Sequence, residues 1–179
     1  MKKIILVAVM MIVVLSAGKT FGQVTRTVNL NITLSDVLEM TVNQDGAMTM
    51  NFDNTAKYSD GIEFTAVNQI VVKSSVGYVI TAKEGSITGT SVLPTGAVDI
   101  TPSIATGNNG STADFDPFAT STLSGTEQAV ITKTSSSWNG ANDSNTFDVK
   151  YLVGKNGKFA NLTSANNNVI PVVYTVTQP

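Results

Sequence analysis

From Val28 to Leu34 the chain reads V-N-L-N-I-T-L, aliphatic and small polar residues in strict alternation. Successive side chains of an extended strand point to opposite faces, so this segment has one aliphatic face and one polar face. A slip of one residue would turn every aliphatic side chain to the wet side, which fixes the register of any pairing it makes. Burying Val28, Leu30, Ile32 and Leu34 is worth roughly 1.5–3 kcal/mol each. Ordering the backbone costs about 1–2 kcal/mol per residue, so the ribbon is stable only in a groove that receives its side chains. Val24 lies on the same face upstream, with Arg26 as the interruption. Two placements satisfy the pattern: the first strand of the chain's own sheet, or a strand added to a neighbouring copy.

The same two-residue period recurs along the chain. It predicts strands over Val37 to Val42, Met48 to Phe52, Ile62 to Val67, Ile70 to Lys73, Gly77 to Ala82, Ala97 to Ile100, Ala129 to Thr132, Thr146 to Val153 and Val169 to Thr177. Pro171 cannot donate to a ladder, which puts the start of the last strand at an edge or after a bulge. No amphipathic helix of three turns and no repeat of fixed period is found. Short strands at this spacing predict an all-β, immunoglobulin-like two-sheet sandwich. Residues 107–124 and 134–145 read as long surface loops on one domain spanning 23–179.

Ahead of that domain, Met1-Lys2-Lys3 precedes an apolar run from Ile4 to Leu15 and the small residues Ser16, Ala17 and Gly18. This is the pattern of a secretory signal peptide, expected as a helix over 1–22, with cleavage before Gln23. The run is shorter than the ~20 residues of a membrane-spanning helix, so the mature chain is expected to be exported to the periplasm, cell surface or medium without a span. Three of the 11 basic residues belong to the leader, so the remainder is more acidic than the formal −2 of the whole chain. Nucleic acid is therefore not an expected partner.

The chain has neither cysteine nor histidine. Stability must come from packing and ladder hydrogen bonds rather than disulfides. Thiol or serine nucleophiles activated by histidine, and histidine-based zinc sites, are excluded. Paired carboxylates drawn from Glu63, Glu84, Glu127 and the aspartates remain conceivable for glycoside cleavage, yet no spacing specifies such a pair. No enzymatic activity and no cofactor are expected. The acidic groups Asp45, Asp53 with Asp60, Asp114 with Asp116, and Asp143 with Asp148 lack the spacing of a calcium loop and read as turn residues, so no metal is assigned. Asp114 and Asp116, in a Gly- and Asn-rich loop, remain candidate ligand-binding residues. Trp138, in S-S-S-W-N-G, either stacks on a sugar or plugs one end of the sandwich.

The alternating V-T-R-T-V-N-L-N-I-T-L-S-D-V-L-E-M-T-V, the central G-Y-V-I-T-A and the terminal V-V-Y-T-V-T together resemble bacterial fimbrial subunits of the colonisation-factor, α-class chaperone-usher type. They also resemble secreted β-sandwich proteins of Bacteroidetes. The pilin resemblance implies that each subunit lacks one strand and is completed by the N-terminal extension of the next, after a periplasmic chaperone has held the groove. Val24, Val28, Leu30, Ile32 and Leu34 would then carry strand exchange with other copies or related subunits. The alternative is a monomeric secreted module binding glycan, or another cell-surface polymer, through the loops around Asp114, Asp116 and Trp138.

Overall fold

The computed structural model describes residues 26–43, 48–108, 112, 115–134, 144–162 and 168–179. The expected leader helix, Val24, Asp114 and Trp138 lie outside the described residues. Strands dominate: β1 (Leu38–Val42), β2 (Ile62–Ser74), β3 (Tyr78–Glu84), β4 (Val98–Ile104), β5 (Ser121–Thr122), β6 (Gln128–Lys133), β7 (Asn145–Val153) and β8 (Val172–Thr177), with one six-residue helix, α1 (Thr55–Asp60). They form two antiparallel sheets, ordered β1-β2-β7-β4-β5 and β6-β3-β8, as expected for an all-β sandwich.

Alternation sets the core. On β3, Tyr78, Ile80, Ala82 and Glu84 are buried, while Val79, Thr81 and Lys83 between them are half-exposed. On β7 the inward set is Asn145, Phe147, Val149 and Tyr151. These meet Ile70, Val72, Ile100, Leu123 and Ile131, all essentially inaccessible to solvent. With no cysteine in the chain, this apolar burial is the main term holding the sheets together.

Two of the expected strands, Ile62 to Val67 and Ile70 to Lys73, are one strand interrupted by a bulge. Register shifts between Ala66, opposite Val149, and Ile70, opposite Phe147. Asn68 sits there at φ 54, a left-handed conformation that asparagine tolerates better than most residues. The Asp148 carboxylate accepts its backbone N–H at 2.7 Å and the Asn43 side chain donates to its carbonyl at 2.7 Å.

Two further expectations are corrected. Met48 to Phe52 forms no strand: Met48 and Met50 pack on the core from a segment outside both sheets, so the alternation reports side-chain packing without ladder pairing. β4 runs through Pro102 to Ile104 rather than ending before it. Proline is tolerated because β5 pairs only with Asp99 and Ile100, leaving that edge of β4 bare beside Pro102. Ser35–Pro179 forms one compact unit, which holds both sheets. Neither sheet contains residues 26–34.

Lettered as an immunoglobulin-like sandwich, β1, β2, β7 and β4 take the A, B, E and D places, β3 and β8 take C and F, and β5 and β6 are inserted between D and E. Among the described residues, nothing occupies the G place beside β8.

Candidate functional site

One side of the sandwich is closed. β4 contacts β6, and the chain passes between the sheets from β5 to β6 at Leu123, whose N–H reaches the Val98 carbonyl at 2.8 Å. The opposite margins are β1, paired only with β2, and β8, paired only with β3. Burial grades accordingly. Central strands bury their inward residues completely, whereas Leu38 and Met40 of β1, and Val172, Tyr174 and Val176 of β8, are only half-buried against the core.

This seam is anchored by one polar contact: the hydroxyls of Tyr174 on β8 and Tyr151 on β7 lie 2.7 Å apart. Burial pushes both phenols above the ordinary tyrosine value; for Tyr174 the neighbouring Tyr151 adds to the rise, and for Tyr151 the hydrogen bond from Tyr174 opposes it. Both stay neutral and protonated through the physiological range. Among the described residues β8 pairs on one side only, and its sequence V-V-Y-T-V-T has no charge or internal proline. Such an edge lacks the devices that ordinarily prevent strand addition.

The residues expected to carry strand exchange are themselves uncovered. Val28, Leu30, Ile32 and Leu34 are 81%, 79%, 76% and 89% exposed. They lie in a segment without regular secondary structure. Body pairing starts just downstream: the Val37 N–H donates to the Ser75 hydroxyl at 2.8 Å, the Val37 carbonyl accepts from Ser75 N–H at 2.9 Å, and Leu38 pairs with Ser74. The body's first strand therefore begins at the pole where β2 turns into β3.

Of the loop candidates, Asp116 lies among the described residues. Asp116 is exposed, and its backbone N–H is spent on the Thr132 carbonyl at 3.0 Å. Its neighbour Phe115 is structural: the ring meets Phe147 edge-on at 5.4 Å and Tyr78 at 6.3 Å, with the buried Lys133 ammonium 5.3 Å from its centre. Among the described residues, no three acidic side chains gather as a metal site, and no helix is long and apolar enough to cross a membrane.

The described residues form a two-sheet β-sandwich whose marginal strands β1 and β8 each pair on one side. No protein-family model matches the chain, and no curated protein matches it in sequence.

Proposed function

We propose that this chain is a structural, non-enzymatic surface protein, a fimbria-like subunit that assembles by adding the 26–34 segment of one copy to the β8 margin of another. The observation carrying this reading is complementarity within one sequence: an uncovered ribbon with a single aliphatic face, and a sandwich with a bare strand edge above half-buried apolar side chains. Strand addition satisfies both, since the ladder supplies affinity and alternate side chains supply register.

Self-completion is disfavoured by the way the chain enters the body. Only Ser35 and Asp36 separate Leu34 from the fixed Val37, and two residues span at most about 7 Å. Two-residue reversals favour pairs such as Asn-Gly or Asp-Gly, which Ser35-Asp36 is not. Export through the leader, and a periplasmic chaperone capping the β8 edge before assembly, belong to the same proposal.

The test is assembly of the chain secreted from its natural leader. Light scattering and electron microscopy are expected to show head-to-tail multimers that Ile32→Asp reduces to monomers. A synthetic peptide of residues 26–36 is expected to raise the melting temperature of that monomer by several degrees. Wild-type protein that stays monomeric at all concentrations, together with an Ile32→Asp monomer indifferent to the peptide, would reject the proposal.

A further inference from the structure

At the other end of β2 from the point where the chain enters the body, α1 and the turn following β7 enclose an open cleft of about 900 Å³. That is within the roughly 300–1,000 Å³ typical of small-ligand sites. A smaller hollow of about 250 Å³ adjoins it across Lys155 and Asn156 and extends toward Asp99, Thr122 and Lys158. We infer that this groove binds a neutral oligosaccharide. The inference is independent of the strand-exchange reading.

The walls are held before any ligand arrives. Asn54 caps α1 by accepting the Lys57 N–H at 3.0 Å, and the Gly61 N–H closes the helix on the Lys57 carbonyl at 3.0 Å. The Gly157 N–H donates to the Ser59 carbonyl at 3.2 Å, tying the turn to the helix. Beneath them, Phe52 packs against Tyr58 at 5.5 Å and against Phe159 at 5.1 Å. Gly154, at φ 76, lets these rings close in: a Cβ there would fall 2.8 Å from both Phe52 and Phe159. A preorganised groove spends little free energy on ordering itself.

The lining selects the ligand class. A sugar hydroxyl both donates and accepts, and the main cleft offers an acceptor in Asp60, a donor in Lys155, and groups that do both in Thr55, Ser59 and Asn156. Tyr58 and Leu162 add the apolar surface on which the C–H face of a pyranose packs. One carboxylate and one ammonium leave the main cleft without net charge, so it is matched neither to a polyanion nor to a polycation. An apolar ligand would desolvate these polar groups without repaying them. The elongated outline, from Leu162 across Asn156 to Thr122, suits an oligomer over a single ring.

The experiment applies the secreted protein, and its Ile32→Asp form, to an array of defined neutral and sialylated oligosaccharides, with hits quantified by calorimetry. Binding to neutral members is expected from both forms. Asp60→Asn, isosteric and on the surface, is expected to weaken it about tenfold, the effect of losing one hydrogen bond to a charged group, with no change in melting temperature. Tyr58→Ala is expected to abolish it, checked for folding by circular dichroism. No binding on the array, binding restricted to sialylated members, or neutral binding that Asp60→Asn and a folded Tyr58→Ala both leave intact would each overturn the inference.

Discussion

Tyr151 and Tyr174 join the two sheets through a 2.7 Å contact between hydroxyls, and Tyr78 is wholly buried on β3. Burial raises all three phenols above their ordinary value of 10.0. The sign of the pH dependence follows. Below pH 10 the contribution is complete; above it the unfolded chain sheds these protons while the native state keeps them, so stability falls as pH rises toward the native values. Each such tyrosine contributes a slope of about 1.4 kcal/mol per pH unit. Urea midpoints measured from about pH 9 to about pH 11 are expected to decline steeply, with the phenolate absorbance of Tyr78, Tyr151 and Tyr174 appearing only on unfolding. Tyr174→Phe should flatten that decline while lowering stability at neutral pH by about 1–3 kcal/mol, because Tyr151 loses its partner. Phe147 governs packing at the same level of detail. It is fully buried and meets the rings of Phe115 and Phe118. Phe147→Ala is expected to cost about 3–5 kcal/mol in urea denaturation.

Among the elements, α1 ends at a position whose backbone favours glycine. Gly61 has φ 84, and a Cβ there would lie 2.7 Å from the Val153 carbonyl oxygen and 2.9 Å from the Lys155 nitrogen, both backbone atoms with little room to yield. Gly61→Ala is expected to destabilise by at least about 1 kcal/mol, and its amide spectrum should show shifts concentrated in residues 55–62 and 153–158. The helix went unread: Asn54 and Gly61 bracket it as caps, but six residues carry no hydrophobic period. Strands were far more legible because burial imposes alternation directly, as Tyr78 to Glu84 and Asn145 to Val153 demonstrate. Alternation failed in two informative ways. In Met48 to Phe52 it reflected packing without pairing, and at Asn68 a left-handed bulge made one long strand read as two. The cleft could not be foreseen, since it joins α1 to a turn nearly a hundred positions away, and no local pattern encodes that meeting. The uncovered ribbon, by contrast, was visible in its own residues; whether a sheet of the same body received it was not.

Across the molecule, closure and openness have separate causes. The β5–β6 insertion seals one side of the sandwich, while β1 and β8, each paired on one side among the described residues, bound the other. The pole that receives the chain and the pole that carries the cleft are opposite ends of β2. In the proposed assembly the 26–34 ribbon and β8 would carry strand addition, and none of their residues lines the cleft.

The pairings that define this sandwich are remote in sequence. Val79 meets Thr177 and Ile62 meets Val153, and even β1 and β2, successive strands in the chain, pair Leu38 with Ser74. Loop-closure entropy must be spent before such contacts return anything, which places the protein among slow folders of high contact order. During that delay β8 has yet to find β3, and the uncharged sequence V-V-Y-T-V-T is free to template misassembly. A strand that must wait for a partner remote in sequence leaves the nascent chain open to mispairing for as long as that partner is missing.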